Sequence, residues 1–578
     1  MIDTTNRNTA LASALVEELA RAGVALAFLS PGSRSSPIAL ALDREPGIEL
    51  RVILDERSAG FAALGAALAS GSPAIVACTS GSAAANLHPA VVEADQAGVP
   101  LLVLTSDRPS ELRDIGAGQT IDQIGLYGTA SRWFCEVGTH DADDAGLLHM
   151  RATGSRAAAE ARLGRGPVHL NLSWRDPLGP DPRPDDVTAG DELAREGRSG
   201  GRPLTTGIAG REPSADLADA LAGAVAGAER GLIVAGRLPD RSLNEPIAEL
   251  AARTGFPVLA DATSQLRFGT HERSRVVGAY DLIVRADPPG LRPDLVLRFG
   301  DLPTSKPLRA WLRSHTADQI VVDPPGRWNE PSRVAGAMVR ADAAAVVESL
   351  RKRLDRAAPS TSWSDAWIGA ERRAQEAIDS ALGDGALSEP VVQRALGDFY
   401  GDGERVLIAS SMPIRDAEAF LAGGDAAVTI HSNRGANGID GLLSTAAGIA
   451  AGSGEPTWVV LGDLALAHDL GGLAAVAAAE HPLRIVVVDN GGGGIFDFLP
   501  QAGQVDPERF SSLFTTPSRL DVASAAAAYG IPYEPVSDAD GLRALASRER
   551  VLAHVRIERD RNVDLHREVA AAVAAALA

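Results

Sequence analysis

The stretch VVLGDLALAHDLGGLAAVAAAEHPLRIVVVDNGGGGIFDFLPQ, residues 459–501, decides the fold of this chain. It begins with an apolar run at 459–461, which is typical of a strand buried on both faces of a parallel sheet. Apolar residues then recur at helical spacing from 464 to 479, and a second apolar strand follows at 485–488. The stretch therefore predicts a strand–helix–strand unit within a parallel sheet covered by helices.

Polar residues follow both strands of this unit. Asp463 comes after the first strand, and Asn490 with a run of four glycines comes after the second. Neighbouring parallel strands carry such residues to the same edge of a sheet, where open α/β sheets bind ligands. A carboxylate, an amide oxygen and a backbone carbonyl in a glycine loop suit Mg²⁺ and a diphosphate. The alternative is a plain unit in which Asp463 caps a helix and Asn490 begins a turn.

The same alternation of strands and helices recurs along the chain. We predict strands at 24–29, 51–54, 74–78, 101–105, 168–172, 231–235, 257–260, 295–299, 319–322, 405–409, 427–431, 457–461, 485–488 and 551–557, and a terminal helix at 567–578. Polar or proline-rich stretches at 176–203 and 352–365 are predicted connections. The sequence thus predicts an α/β fold of three doubly wound domains with mainly parallel sheets, at 1–180, 204–351 and 385–578.

Composition narrows the possible partners. The chain of 578 residues has a net charge of −20, which argues against nucleic acid or an anionic membrane as the main partner. Its two cysteines, Cys78 and Cys135, show no disulfide or metal-binding pattern, which indicates a reducing compartment. The amino terminus lacks a secretion signal, and no apolar run is long enough for a membrane span. We therefore expect a cytoplasmic protein without membrane insertion.

Four arginines follow predicted strands in this acidic chain. They are Arg34, Arg108, Arg415 and Arg434. A guanidinium binds a carboxylate through two parallel hydrogen bonds, so a group of them at strand ends favours a small substrate with several carboxylates. Each arginine taken alone is more simply explained by a surface salt bridge. Glu56 also follows a strand, where an acid at the start of a helix is stabilised by the helix dipole.

Several stretches resemble those of thiamine-diphosphate enzymes. The spacing from Asp463 to Asn490 is similar to the metal–diphosphate signature of that family, although Leu464 stands where the family has glycine. In particular, the 2-succinyl-5-enolpyruvyl-6-hydroxy-3-cyclohexene-1-carboxylate synthase family of menaquinone biosynthesis is similar to this chain in the following stretches: SPGSRSSP (30–37), DERSAGF (55–61), GQTIDQ (118–123), SNRGANGIDGLLSTAAG (432–448) and GGGGIFDFLP (491–500).

The resemblance implies decarboxylation of 2-oxoglutarate and conjugate addition of the succinyl unit to isochorismate, with thiamine diphosphate and Mg²⁺ or Mn²⁺ as cofactors. It implies a pyrimidine-binding first domain, a central domain and a diphosphate-binding third domain. By this resemblance Glu56 hydrogen-bonds the cofactor's pyrimidine and is catalytic. The metal ligands would be Asp463, Asn490 and Gly492, the apolar neighbours of the cofactor Ile495 and Phe496, and the substrate-binding residues Ser33, Arg34, Arg108, Gln119, Lys306, Ser411, Arg415 and Arg434.

Glu56 and Asp463 fall in different predicted domains. In the resembled family one cofactor spans two chains, which implies a homodimer or homotetramer. The segment 498–516 is predicted to be a loop that orders on binding. The closest alternative is another thiamine-diphosphate enzyme, such as a 2-oxoacid decarboxylase or an acetohydroxyacid synthase. A non-catalytic nucleotide-binding protein is a further alternative, but the glycines at 491–494 do not form the dinucleotide-binding pattern.

Overall fold

The computed structural model describes residues 2–207, 210–314, 317–324, 326–354, 361–383 and 386–578. These residues form three six-stranded sheets in which every strand pair is parallel. The predicted fold class is therefore confirmed. One compact unit contains residues 1–209, 433–454 and 468–481, and a second contains the remainder. Within the described ranges, no helix combines the length and the apolar character needed to cross a membrane.

The first sheet has the strand order β2-β1-β3-β4-β6-β5. Its strands are β1 (Leu26–Leu29), β2 (Glu49–Val52), β3 (Ala74–Cys78), β4 (Leu101–Asp107), β5 (Trp133–Gly138) and β6 (Val168–Ser173). The helices of this part are α1 (Arg7–Arg21), α2 (Ser36–Arg44), α3 (Glu56–Ser70), α4 (Ser82–Asn86), α5 (His88–Ala97), α6 (Asp144–Gly164) and α7 (Glu192–Glu196). Separate apolar clusters cover the two faces of the sheet, as expected for buried parallel strands.

The second sheet has the order β12-β11-β10-β7-β8-β9. Its strands are β7 (Gly231–Ala235), β8 (Val258–Ala260), β9 (Val276–Val277), β10 (Leu295–Phe299), β11 (Asp318–Val322) and β12 (Ala337–Val339). The helices are α8 (Ala215–Gly227), α9 (Asn244–Thr254), α10 (Tyr280–Ala286), α11 (Lys306–Ser314), α12 (Ala343–Arg353) and α13 (Ser362–Leu382). Helix α13 begins inside the predicted connection at 352–365, of which 355–360 lie outside the described residues.

The third sheet, with the order β14-β13-β15-β16-β18-β17, repeats the topology of the first. Its strands are β13 (Arg405–Ile408), β14 (Thr429–His431), β15 (Thr457–Gly462), β16 (Leu483–Asp489), β17 (Tyr533–Val536) and β18 (Arg550–Arg556). The helices are α14 (Glu389–Gly397), α15 (Met412–Phe420), α16 (Leu442–Ser453), α17 (Asp463–His468), α18 (Gly472–Ala477), α19 (Gln501–Gln504), α20 (Pro507–Phe510), α21 (Val522–Ala528), α22 (Ala539–Ala544) and α23 (Arg559–Leu577). Helix α23 starts before the predicted terminal helix.

The strands that the apolar pattern did not predict all lie at sheet edges. They are β5, β9, β12 and β17. Edge strands are covered on fewer sides, and β5 has mostly half-buried residues whereas β3 and β4 are buried throughout. A continuous apolar run is therefore absent from these edges, although the central strands show it clearly.

The proline-rich stretch at 176–203 is not the linker that its composition predicted. Ala189 and Ala194 are buried in the first core. The side chain of Asn6 donates to the carbonyls of Gly179 and Asp181, at 2.9 Å and 3.1 Å. Buried polar side chains thus hold the backbone of this stretch against its own unit, which a count of apolar residues does not reveal.

The helix predicted over 464–479 is broken into α17 and α18. Asp469, which lies between them, accepts hydrogen bonds from the Ser444 backbone N–H at 2.9 Å and the Ser444 hydroxyl at 3.2 Å. Ser444 lies in the first turn of α16, so Asp469 supplies an acceptor for a helix end that has no cap of its own. This long-range contact competes with continuation of the helix, and burial raises the pKa of Asp469 to about 6.

Helices α3 and α16 pack with their backbones in direct contact. A Cβ at Gly448 would lie 1.9 Å from the Ala62 carbonyl oxygen, and one at Gly65 would lie 2.0 Å from the Thr445 carbonyl oxygen. Glycine is therefore required at this crossing. Because Glu56 is the first residue of α3, the crossing also fixes the start of that helix within its unit.

We expect Gly448→Ala to lower the free energy of unfolding by about 1–3 kcal/mol, because the added methyl group forces the two helices apart. The matched control is Gly223→Ala in α8, where a Cβ would meet nothing within 4 Å. That change should raise the free energy of unfolding by about 0.4–1 kcal/mol, because alanine reduces the conformational entropy of the unfolded chain. Denaturant unfolding of both variants measures the difference, and equal shifts would contradict the close crossing.

Candidate functional site

Three predicted substrate residues lie together at the carboxyl edge of the first sheet. The Arg108 guanidinium donates to the Gln119 carbonyl at 2.7 Å and also to the Ser80 hydroxyl. The Gln119 side chain donates to the Ser80 carbonyl at 3.0 Å. Burial and the nearby Arg34 guanidinium lower the pKa of Arg108. Two cations are thus held close together, which favours the binding of an anion.

Arg34 is fixed from the other side by the end of β6. Its Nη1 donates to the Trp174 carbonyl at 2.9 Å and lies 3.7 Å from an Asp176 carboxylate oxygen. Asp176 is largely exposed, so this ion pair is weak and leaves the Arg34 guanidinium available to a ligand. Ser33 begins the short turn that carries Arg34 and is exposed beside it.

A buried polar network beneath Arg108 was not predicted. Gln123 accepts from the Gly81 N–H at 3.0 Å and donates to Asn171 at 2.9 Å. Asn171 donates to Asp107 at 2.9 Å, and Asp107 accepts the backbone N–H of Arg108 at 2.7 Å. The network therefore fixes the backbone from which Arg108 projects. Gln123 stands in the quoted stretch GQTIDQ and Asp107 precedes Arg108, but only burial distinguishes both residues from surface polar residues.

Glu56 is the first residue of α3, as predicted. It is half-buried, and the Asn86 amide donates to its Oε2 at 3.3 Å. Asp55 caps the helix by accepting from the Arg57 N–H at 2.9 Å, so the cap does not depend on Glu56. A carboxylate at this helix start is thus available for another function, with Asn86 as a neighbour that sequence reasoning missed.

The loop that carries Arg434 belongs to the same compact unit as Glu56. The N–H groups of Gly435 and Ala436 donate to the Glu93 carboxylate at 2.8 Å and 2.6 Å. At the end of the loop, Gly441 has a φ of 63°, and a Cβ there would lie 2.0 Å from the Phe61 ring. Arg434 is half-buried on this fixed backbone.

In the second unit, Asp463 and Asn490 follow neighbouring strands. Gly462 at the end of β15 pairs with Val488 in β16, so the two side chains are adjacent at the sheet edge. Asp463 is 4% exposed and Asn490 is 9% exposed. Asp463 Oδ2 and Asn490 Oδ1 are both buried and, among the described residues, have no hydrogen-bond partner. Burial and Asp489 raise the pKa of Asp463 to about 6.

The glycine loop follows Asn490 directly and includes Gly492, whose carbonyl is the third predicted metal ligand. Gly492 has a φ of 130°, and a Cβ there would lie 2.3 Å from the Thr515 carbonyl oxygen, so only glycine fits. The Gly492 carbonyl accepts one hydrogen bond, from the Gly494 N–H at 2.9 Å. A carbonyl oxygen has two lone pairs, so a second bond remains available.

These oxygens fit a divalent cation. Burial of an oxygen without a partner costs free energy of folding. A cation that both oxygens coordinate would remove that cost. Mg²⁺ prefers oxygen ligands and uses few protein carboxylates, with phosphate oxygens and water completing its shell. The donor set of Asp463, Asn490 and Gly492 therefore suits Mg²⁺ bound to a diphosphate.

The remaining predicted substrate residues of this unit lie at two helix starts. Ser411 precedes α15 and has an unusual φ of 74° with ψ of −134°. Arg415, one turn into α15, is exposed and donates to the Ser411 carbonyl. Lys306 is the exposed first residue of α11. Strained backbone at a non-glycine residue is characteristic of functional sites.

We expect Ser411→Gly to raise the free energy of unfolding while it weakens substrate binding. Glycine adopts this φ and ψ without the cost of about 1–3 kcal/mol that a strained residue carries. The hydroxyl that would contact substrate is lost, so KM should rise. Ser349→Gly is the control, because Ser349 lies inside α12, which carries none of the predicted substrate residues, and glycine in a helix interior should only destabilise. Thermal unfolding and steady-state kinetics measure both effects; a loss of stability in Ser411→Gly would contradict the strain.

Ile495 and Phe496 follow the glycine loop and are half-buried. The segment 498–516, predicted as a loop, consists largely of short helical turns that include α19 and α20. Arg559 holds it through two bonds of 2.6 Å to Asp497 and one of 3.0 Å to the Thr515 hydroxyl. The segment thus contains helical turns that the sequence did not predict, and Arg559 ties its two ends to α23. That the segment orders on binding stays a prediction.

Comparison with known families gives matches along most of the chain. Residues 9–126 match the N-terminal binding domain of thiamine pyrophosphate enzymes, residues 219–408 their middle domain and residues 428–555 their C-terminal binding domain.

Eight relatives that match over nearly their full length carry the name 2-succinyl-5-enolpyruvyl-6-hydroxy-3-cyclohexene-1-carboxylate synthase. The protein from Myxococcus xanthus is 40% identical over 99% of this chain and 98% of its own length. The protein from Chloroflexus aurantiacus is 42% identical over 98% and 96%, and that from Bacillus velezensis 38% identical over 96% and 97%. The chain is thus similar to these proteins in every domain.

Proposed function

Because this chain belongs to the 2-succinyl-5-enolpyruvyl-6-hydroxy-3-cyclohexene-1-carboxylate synthase family of thiamine pyrophosphate enzymes, we propose that it joins 2-oxoglutarate to isochorismate in menaquinone biosynthesis. The enzyme is a thiamine-diphosphate-dependent transferase that forms a carbon–carbon bond. In this reaction the 2-oxo acid loses CO₂ and the remaining succinyl unit adds to the conjugated acceptor.

The observation that carries the proposal is the pair of unpartnered buried oxygens on Asp463 and Asn490. With the carbonyl of Gly492 they would hold Mg²⁺ or Mn²⁺ and, through it, the diphosphate of the cofactor. Thiamine diphosphate supplies an electron sink that permits loss of CO₂ from a 2-oxo acid. The protein's own contribution is to bind, orient and exclude water.

Glu56 would exchange a proton with the cofactor's pyrimidine ring. Its place at a helix start, half-buried and hydrogen-bonded by Asn86, supports this assignment. The helix keeps its own cap at Asp55, so the carboxylate is not consumed by local structure.

The predicted basic residues would bind the carboxylates of the two acids. Arg34 and Arg108, which lie close together, support binding of one of them, with Ser33, Gln119 and Arg434 in the same unit. Ser411, Arg415 and Lys306 are proposed to bind substrate as well, on the resemblance to the family. Ile495 and Phe496 would exclude water, which otherwise protonates the reacting carbon and releases an aldehyde instead of the product.

We infer that the functional form is a homodimer or homotetramer. Val52 and Leu54, just before Glu56, are 64% and 83% exposed. Exposed apolar side chains beside a functional residue support an interface at this position. A second copy of the chain would cover them. Sedimentation analysis tests this, and a monomer that is fully active would contradict it.

The assay that tests the function mixes the protein with thiamine diphosphate, Mg²⁺, 2-oxoglutarate and isochorismate, and identifies products by mass spectrometry. We expect 2-succinyl-5-enolpyruvyl-6-hydroxy-3-cyclohexene-1-carboxylate with both substrates, and no product from pyruvate alone. Turnover of pyruvate in place of 2-oxoglutarate would indicate a decarboxylase or acetohydroxyacid synthase. Absence of thiamine diphosphate binding would indicate a non-catalytic protein.

A further inference from the structure

A cluster of buried ionisable side chains lies behind the proposed metal site. Glu389, the first residue of α14, is 3% exposed, and Asp416 in α15 is 2% exposed. With His566 of α23 they offer ligand atoms that all lie within 4.8 Å of one another. The proposed reaction uses none of these residues.

The cluster contacts the metal site through one hydrogen bond. The Asn490 side-chain amide donates from Nδ2 to Glu389 Oε1 at 2.5 Å. A carboxylate oxygen accepts hydrogen bonds and donates none. Glu389 therefore selects the orientation of the Asn490 amide in which Nδ2 faces the carboxylate. The opposite end of the amide, Oδ1, is the buried oxygen without a partner. Glu389 therefore decides which atom of Asn490 is available for a cation.

The backbone of Glu389 is held in place by a residue of α23. Its backbone N–H donates to Asn562 Oδ1 at 3.1 Å, which fixes the start of α14 against α23. His566 faces two acceptors, with Nδ1 2.8 Å from the Asn562 carbonyl and Nε2 2.8 Å from Asp416 Oδ1. An imidazole that donates at both nitrogens has no lone pair for a metal. Both nitrogens of His566 thus already have hydrogen-bond partners within this part of the structure.

We propose that Glu389 is a positioning residue for the metal: it locks the Asn490 amide with Oδ1 presented beside Asp463. This rests on the proposed metal and diphosphate site. A metal ligand is commonly oriented by a hydrogen bond from its far side, and loss of such a partner weakens metal binding. Without Glu389 the amide can rotate by half a turn and present its N–H₂ group, which repels a cation.

The test measures binding of Mg²⁺ with thiamine diphosphate by calorimetry in Glu389→Leu and Glu389→Gln. Glutamine keeps an acceptor oxygen for Asn490, so it should bind within about threefold of the native protein. Leucine has a similar size but no acceptor, and should weaken binding roughly 10- to 100-fold. Glu389→Met serves as a second apolar variant if leucine prevents folding. Thermal unfolding without ligands separates the loss of affinity from general destabilisation.

A second pair of variants removes the need for orientation. In Asn490→Asp both side-chain atoms are oxygens, so rotation changes nothing. We therefore expect Glu389→Leu to cause no further loss of Mg²⁺ binding in the Asn490→Asp background. Equal losses in both backgrounds, or native affinity in Glu389→Leu alone, would overturn the inference. If the native protein fails to bind Mg²⁺ and thiamine diphosphate, the proposed function itself is wrong.

Discussion

Replacement of Glu56 by glutamine should reduce turnover roughly 10²- to 10⁴-fold, the usual contribution of a proton-transferring side chain. The amide preserves the size of the side chain and keeps an oxygen that can accept from Asn86, which donates to Glu56 Oε2 at 3.3 Å. It cannot exchange a proton with the cofactor's pyrimidine. Binding of thiamine diphosphate and Mg²⁺ should persist, because Asp463, Asn490 and Gly492 would hold the metal and the diphosphate. Steady-state kinetics and calorimetry measure the two quantities separately.

The matched control is Glu192→Gln, the same change at the first residue of α7. If Glu56 only stabilised the helix dipole, its replacement would cost about 0.3–1 kcal/mol of stability and leave turnover unaltered, as in the control. Equal activity in native protein and Glu56→Gln would remove the catalytic assignment.

Replacement of Asp463 by asparagine should abolish the stabilisation that Mg²⁺ and thiamine diphosphate confer. A ligand at 100 times its Kd stabilises the folded state by about 2.7 kcal/mol, which the native protein should gain. Asp463→Asn should gain almost none, because the charged metal ligand is lost. Without ligands the variant should be at least as stable as the native protein, since Asp463 Oδ2 is buried without a partner.

Thermal unfolding with and without Mg²⁺ and thiamine diphosphate measures both quantities: the stability of the ligand-free variant and the stability that the ligands add. Asp521→Asn is the control, because Asp521 caps α21 and asparagine caps helices equally well. That variant should keep the full ligand-induced shift. A ligand-induced shift of native size in Asp463→Asn would place the metal elsewhere.

The sequence alone predicted the features that depend on local pattern. Continuous apolar runs marked the central strands such as β15 and β16, because strands buried on both faces need apolar residues throughout. Their parallel pairing then brought Asp463 beside Asn490, as expected for residues that follow neighbouring strands. Motif resemblance extended the prediction to Glu56 and the arginines, and full-length relatives confirm the family.

Tertiary structure alone decided the contacts that join distant parts of the chain. Glu389 lies 101 residues before the amide that it orients, and Asn86 lies 30 residues after the carboxylate to which it donates. Edge strands such as β5 and the packed stretch at 176–203 likewise depend on partners far away in sequence. A buried polar group must find a partner, but its own neighbours in the sequence do not determine which one, because folding brings that partner from another element.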